Sequence, residues 1–473
     1  MLLYFFRNFG FLLLLNVLIK PIWVFAIDIP VQNAVGHDVY GLFFTAFNFS
    51  MIFSILSDLG LNHFNNINLS DQSVQRVYSV ASLLPAKLML SIVYVLIATV
   101  AGILVFGEGS ILYFIFLTSV FHASSGFILF LRTYLSSSQK FGKDSLYSVL
   151  DRFISTMILF VWLYLIPMES FQMEYFVYVQ IFSAGVPVLL LLIHLRKDIG
   201  VRFRFVPESW LWLKAAAPYS LLILLMGLYT RIDSTLIQLL LGSNEAGIYA
   251  ASYRLVDFLS QFGYLSSIIL LPLFAHLKKE EEVLKKLFSS ILIIMFFTGV
   301  FIAVSMFYLS ETFCEILYTS DAKEISKVFR IHLISYPFIV ANFIVGSYIT
   351  AHKYLRFLIL ISIAGIVVIL TAIGLLISGY GVVGVAVAMV VTHVWIFVAQ
   401  LWWIGRKHGL PSVFSWQWWY AVWIGAALML VLAAGYSMAW LAGAYAVLAL
   451  GILVMYKAQT LKNIAIQALA RKI

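Results

Sequence analysis

Charge is scarce in this chain. Asp, Glu, Lys and Arg make up only 11% of its 473 residues, less than about half the share that soluble globular domains carry. A water-clothed core of this size is excluded. Cysteine is nearly absent: Cys314 stands alone, so there is no intramolecular disulfide and no metal site built from several thiolates. Long polar connections are missing too. The two longest, over 196–214 and 310–330, are too short to fold as soluble domains, which need at least about 50 residues. A nucleotide-driven pump, or a glycosyltransferase with a cytoplasmic catalytic domain, has nowhere to keep its machinery.

The chemical motifs are missing as well. There is no P-loop, no His-Glu-x-x-His pair and no nucleophile elbow. Gly379-x-Gly381-x-x-Gly384 matches the dinucleotide fingerprint as a string, but no strand precedes it and no acidic partner follows; it reads as a tight hairpin between apolar helices, where small residues allow close approach. The nine histidines are scattered singly. The sequence therefore offers no catalytic residue, no metal ligands and no cofactor site. The net charge of +9 would suggest nucleic acid in a soluble protein; here its placement is topological, and no nucleic-acid partner is expected.

What is abundant is apolar. Hydrophobic residues reach 63%, with 40 Phe, 25 Tyr and 12 Trp, an aromatic load suited to lipid and its interfaces. About fourteen segments approach the ~20 apolar residues that span a bilayer. They begin near residues 6, 39, 81, 110, 145, 173, 213, 245, 287, 328, 355, 381, 416 and 437. The apolar stretch after Arg7 has no small-residue cleavage site behind it and reads as the first membrane helix rather than a signal peptide. The expected fold is an all-α integral membrane protein of about fourteen transmembrane helices.

Alternate connections fall into two charge classes. One is basic: Arg7, Arg76, then Arg132, Lys140 and Lys143, then the five cations of 196–214, then Lys278, Lys279, Lys285 and Lys286, then Lys353 with Arg356, Arg406 with Lys407, and a tail with Lys457, Lys462, Arg471 and Lys472. The other carries Asp28, Asp38, Glu108, Glu169, Glu174, Glu245, Glu311, Glu315, Asp321 and Glu324, with cations at Lys323, Lys327 and Arg330. By the positive-inside rule both termini are cytoplasmic, in keeping with an even number of spans. A weak internal repeat accompanies this pattern at an offset of 206: Gly36 and Gly41 align with Gly242 and Gly247, and Phe43 and Phe47 with Tyr249 and Tyr253. Equal spacing with an even helix number between copies points to parallel repeats of about six helices, with a site at their interface.

Ionisable residues within the spans are the sharper signal, since each costs at least ~2.5 kcal/mol at the bilayer centre unless it faces protein or water. Asp58, Asp151 and Arg152 read as residues near cytoplasmic helix ends, where capping and snorkelling account for them. Lys20 lies deeper, and Pro21 after it loosens the helix and leaves a carbonyl without its usual partner. It marks either a water-filled cavity awaiting an anion or a bridge to carbonyls. Arg231 and Asp233 are two apart and point away from each other, whereas Arg254 and Asp257 are three apart and can pair. Counting outward from the turn near Ser243 and Asn244 sets Asp233 level with Arg254 and Arg231 level with Asp257. They form either interhelical ion pairs or a cationic lining whose pairing changes as a cavity opens.

These residues resemble a known family. Val35-Gly-His-Asp-Val-Tyr-Gly41 is similar to the short outer turn after the first helix of Wzx-type polysaccharide flippases, and Ser57-Asp-Leu-Gly-Leu61 to the close of their second helix. Ala217-Pro218, Arg231-Ile-Asp233, Leu241-Gly-Ser-Asn-Glu-Ala-Gly-Ile-Tyr-Ala-Ala-Ser-Tyr-Arg-Leu255 and Pro272 resemble the middle of that family. The resemblance, which marks the wider superfamily of flippases and multidrug extruders better than it marks a substrate, implies two six-helix lobes (1–198 and 199–408) in a V-shaped arrangement. Two further helices and a cytoplasmic tail would fill 409–473. It implies alternating access in a bacterial cytoplasmic membrane, and an undecaprenyl-pyrophosphate-linked oligosaccharide moved to the outer leaflet for O-antigen, capsule or exopolysaccharide. Membrane lipid would be a partner, as would the polysaccharide polymerase and chain-length machinery. Lys20, Arg231 and Arg254 are then the cations to meet the pyrophosphate, with Asp233 or Asp257 as ion-coupling or charge-pair residues. A cation-coupled multidrug exporter of the same superfamily should instead carry cavity acids unmatched by cations. A membrane-embedded polymerase or ligase should carry a large outer loop, which this chain lacks.

Overall fold

The computed structural model describes residues 18–62, 80–137, 140–166, 171–199 and 209–408. Apart from short turns these are helical, in the order α1 (Leu18–Ser57), α2 (Val80–Phe106), α3 (Ser110–Ser137), α4 (Phe141–Tyr147), α5 (Leu150–Leu165), α6 (Met173–Ile199), α7 (Ser209–Leu240), α8 (Ser243–His276), α9 (Glu281–Leu317), α10 (Ala322–Ala351) and α11 (Leu355–His408). Ten helices among the described residues are long and apolar enough to cross a membrane, with α4 and α5 counted together.

Two of the ten double back. α1 has 40 residues and α11 has 54, which as straight helices would run ~60 and ~80 Å against a hydrocarbon core of ~30 Å. Each contains one glycine with non-helical backbone, Gly36 (φ 79°, ψ 169°) and Gly381 (φ 55°, ψ −136°), where the positive φ is open to a residue without a Cβ. Across the first bend the Tyr40 hydroxyl donates to Asp28 Oδ1 at 2.8 Å, although those residues would lie ~18 Å apart along a straight helix. Across the second, a Cβ added to Gly384 would lie 2.5 Å from the Leu376 carbonyl oxygen. The bent helices therefore count as two limbs each, and the described residues supply twelve limbs that coincide with the first twelve predicted spans. The Gly379–Gly384 string is part of a hairpin bend. Arg7, the start of the first predicted span and the last two predicted helices lie outside the described residues.

The surface that the helices leave outward is apolar. Leu104, Ile316 and Leu375 are 80%, 76% and 74% exposed; many such side chains in water would form aggregating patches, whereas in lipid they are solvated.

The described residues divide into two compact units. The first runs to Ala251 and takes in Leu317–Ser320. In it α1 packs against α3 and α7, α3 against α2 and α6, and α5 against α6, around a core that includes Leu83, Leu90, Phe121, Ile128, Leu131, Leu191 and Leu195. The second unit holds Ser252–Ile316 and the chain from Asp321 onward. There α10 packs along α11, and Phe296, Phe338 and Phe397 form a cluster of rings with centroids 5.4–5.8 Å apart. Small residues bring its helices close, as membrane packing favours: Gly299 faces the Pro337 backbone and Gly263 that of Val340, each leaving about a bare Cβ radius of room.

Candidate functional site

The course of the first limb of α1 sets the site in the first unit. Pro21 has no N–H to donate, and just beyond it Val24–Asp28 widens into a π-turn, closed by the Ile29 N–H bonding back to Val24 O. Such a widening frees backbone carbonyls. One of them, Ala26 O, accepts the Tyr164 hydroxyl of α5 at 3.2 Å. Trp23, at the start of this turn, is buried and stacks on Phe176 of α6, with centroids 5.8 Å apart and planes at 28°. The guanidinium of Arg152, from α5, lies 4.9 Å from the Trp23 ring. Lys20 precedes Trp23 by one turn on the same side of the helix.

Arg152 also lies 5.8 Å from the Phe121 ring. The neighbouring His122 packs its ring 4.5 Å from Phe47 and donates from Nε2 to Phe47 O at 3.1 Å. The residue after Phe47 is Asn48, whose Oδ1 accepts from Arg231 Nη1 of α7 at 3.1 Å. Arg152 reaches the ring beside His122, and Arg231 reaches the residue beside the carbonyl that His122 binds. Four helices, α1, α3, α5 and α7, thus bring two guanidinium groups around one half-buried histidine, with Lys20 a turn away from the ring that carries Arg152. The aromatic faces of Trp23 and Phe121 hold Arg152, and an amide oxygen holds Arg231.

The acids of this unit are placed differently. Asp233 is 2% exposed and accepts hydrogen bonds from the Tyr249 hydroxyl and, at 2.7 Å, from the Ser234 N–H. Asp28, which the sequence groups with the connections, is in fact buried in the π-turn at 1% exposure. Asp58 faces Lys87, a fully buried lysine of α2, at 3.6 Å, while Lys87 also donates to Ser57 O at 2.8 Å. In the second unit Arg254 and Asp257 are both half-buried on α8, at the spacing that shares a helix face.

Sequence reading named Lys20 and Arg231, which the structure places on α1 and α7, set Arg152 aside as a helix-end residue and did not weigh His122, Asn48 or Lys87. Lys87 carried a usable signal, a lysine inside an apolar window. His122 and Asn48 carried none, because their meaning arises from a meeting of helices about 75 residues apart in sequence and no periodicity encodes that.

The helical architecture, with its doubled-back first helix, is shared with solved membrane proteins. A lipid II flippase, MurJ, in an inward closed conformation superposes with a TM-score of 0.67 at 12% identity, over 98% of this chain and 100% of the other. A multidrug resistance MATE family transporter of the MOP superfamily in an inward-facing conformation gives 0.63 at 15% identity, over 85% and 96%. A MOP superfamily transporter from Pyrococcus furiosus gives 0.58 at 14% identity, over 86% and 96%. Residues 5–278 match the family model described as polysaccharide biosynthesis protein, which is more than half of the chain, and the protein belongs to that family. No curated protein matches it.

Proposed function

We propose that this protein flips an undecaprenyl-pyrophosphate-linked oligosaccharide from the cytoplasmic to the outer leaflet of a bacterial cytoplasmic membrane by alternating access, with both termini in the cytoplasm. The observation that carries the reading is the placement of Arg152 against Trp23 and Phe121, and of Arg231 on Asn48, on either side of the His122–Phe47 contact, with Lys20 a turn from Trp23. A pyrophosphate brings about two negative charges and suits guanidinium forks, and cations inside a membrane protein are costly enough to need a purpose. Membership of a polysaccharide biosynthesis family supports a glycan cargo, and the similarity to a lipid II flippase supports a lipid-anchored one. Lys20 and Arg231 keep the role that the sequence suggested, Arg152 joins them, and Arg254 of the second unit is the remaining candidate. The two six-helix lobes, 1–198 and 199–408, supply the rocking halves, and differential contacts with the loaded and empty cavity bias their equilibrium.

The buried acids favour one competitor. Asp28 and Asp233 are the kind of groups a cation-coupled multidrug exporter uses, and MATE transporters share the fold. In the flippase, Asp233 instead serves as the coupling or structural acid, and Asp257 pairs along α8. The two readings part on one experiment. Cells carrying Arg152→Ala or Arg231→Ala at normal protein level should lose surface polysaccharide, with affinity for the lipid-linked glycan down ~10- to 100-fold from one lost charge-assisted contact. Arg→Lys should keep part of the function, since charge survives while the fork is lost. Unchanged surface polysaccharide in both alanine variants, together with lost resistance to cationic drugs, would give the assignment to the exporter.

A further inference from the structure

We infer that the end of the second unit where α10 passes into α11, and where α11 finishes, is a binding site for an anionic phospholipid held by its phosphate. In the topology proposed above this end meets the cytoplasmic leaflet. The site is independent of the cargo proposed for the protein. An imbalance of charge marks it first. After Glu324 the sequence contains no Asp or Glu, whereas 325–408 carries six cations, Lys327, Arg330, Lys353, Arg356, Arg406 and Lys407. The last four fall at one place. Lys353 takes a positive φ of 63° in the turn between the two helices, Arg356 lies in the first turn of α11, and Arg406 and Lys407 lie in its last turn; all four are exposed.

Rings bring the two ends of α11 together there. Phe357 stacks on Trp403 with centroids 4.1 Å apart and planes at 13°, and Tyr354 meets the same indole at 4.9 Å. Among the described residues no carboxylate pairs with any of the four cations. Glu281 and Glu282, at the start of α9, lie 2.9 and 3.9 Å from Lys285 instead, and Glu281 also lies 3.7 Å from His408. The charge of this end is therefore left for something outside the chain to balance.

Positive charge at a cytoplasmic end is by itself only what the positive-inside rule requires. Two features go further. The cations are seated on rings: the Arg406 guanidinium lies 4.3 Å from the Trp402 ring, and Lys407 Nζ lies 5.9 Å from that of Tyr354. A ring takes the face of a guanidinium and leaves the N–H groups of its edge, the fork that suits a phosphate. The arginines also finish apolar rows. Val398, Trp402 and Arg406 follow one another by single turns on one limb of α11, as Ile363, Leu360 and Arg356 do on the other, and all six are exposed. Acyl chains lying along such rows bring a headgroup to the arginine at the end, whereas an acidic peptide in water would leave the rows uncovered. A zwitterionic headgroup adds an ammonium that four cations repel, which selects the anionic class. The basic connection between α8 and α9 is built differently, since Lys278 and Lys279 are followed directly by Glu280, Glu281 and Glu282.

The test is native mass spectrometry of the purified full-length protein in detergent, titrated with phosphatidylglycerol or with phosphatidylcholine of the same chains. The parent should retain phosphatidylglycerol under conditions that strip phosphatidylcholine. Arg406→Ala with Lys407→Ala should bind it ~30-fold more weakly, from ~1 kcal/mol for each cation near a lipid surface. Trp402→Ala should bind it ~2- to 5-fold more weakly, through loss of the ring under Arg406. Lys278→Ala with Lys279→Ala removes the same charge and should leave binding unchanged. If the Arg406 and Lys407 alanine pair does not accumulate, Arg406→Gln with Lys407→Gln takes its place. Equal retention of the two lipids, unchanged binding in the Arg406 and Lys407 pair, or an equal loss in the Lys278 and Lys279 pair overturns the site. Displacement of the lipid by excess glycerol phosphate overturns it as well, because the chains would then contribute nothing, and so does preferential retention of undecaprenyl pyrophosphate, which would give the surface to the cargo. A failure of the flippase reading shows in export and leaves these lipid counts standing.

Discussion

Removing the Lys87 ammonium should damage the protein more than removing any cation of the proposed substrate site. Lys87 is wholly buried on α2, donates to Ser57 O at 2.8 Å and stands 3.6 Å from Asp58. It also lies within 5.8 Å of the Phe127 ring, and Gly126 leaves room for it, with Nζ 3.2 Å from where a Cβ would sit. Asp58 Oδ1 is buried and has no hydrogen bond, so the ammonium is the group that offsets its charge. Lys87→Ala leaves that carboxylate with backbone N–H support alone, from Asn62 at 3.2 Å and from Gly60, together with a cavity. Breaking a buried pair from one side costs ~3–5 kcal/mol, which is a factor of ~100 to 1,000 or more in the folded population. The double variant Lys87→Met with Asp58→Asn removes both charges at similar volume and should recover most of the loss, as replacement of buried pairs by neutral groups commonly does. Purified protein in detergent, heated in steps and scored by the monodisperse fraction on size exclusion, reads both. If Lys87→Ala is as heat-resistant as the parent, or if the double variant is worse than the single, the pair is not the strut described here.

Three further outcomes follow. Tyr249→Phe removes the hydroxyl that Asp233 accepts from and should cost ~1.5–3 kcal/mol, the range for a hydrogen bond to a charged group; the same heating assay should show a loss that Asp233→Asn does not deepen in the double variant. A reporter active only outside the cytoplasm should be silent at the C-terminus and active after Glu174, as the distribution of basic connections requires. Lys20→Ala should abolish surface polysaccharide at normal protein level while Lys20→Arg retains part of it; normal export by Lys20→Ala would remove Lys20 from the site.

How much of this was legible in the sequence depends on range. The helical spans and the hairpins were legible because apolar length and glycine act locally, and the limbs on either side of Gly36 and Gly381 fall where runs of apolar residues predict them. The repeat was faintly legible, since Gly36, Gly41, Gly242 and Gly247 recur at a fixed offset, and its geometric reason became visible only where Gly41 and Gly247 touch the opposite backbones. The charges were legible one at a time but not as a set. Arg152 looked like a helix-end arginine because the first turn of a helix is where such residues commonly snorkel; what brings it into the proposed site is Trp23, which lies about 130 positions earlier in the chain. Asp28 looked like loop because it follows a proline-loosened helix, whereas the π-turn carries the helix on through it.

The central claim is that the cations of the first unit move a pyrophosphate-linked glycan across the bilayer. It is tested most directly in liposomes containing the purified full-length protein and a fluorescent undecaprenyl-pyrophosphate-linked oligosaccharide placed in one leaflet, with a lectin on the opposite side to capture what crosses. The account predicts capture that rises with the amount of protein, falls toward the protein-free level with Arg152→Ala and Arg231→Ala, and is competed by the unlabelled lipid-linked glycan. Capture no faster than in empty liposomes, or equal capture by the parent and both alanine variants, would contradict it.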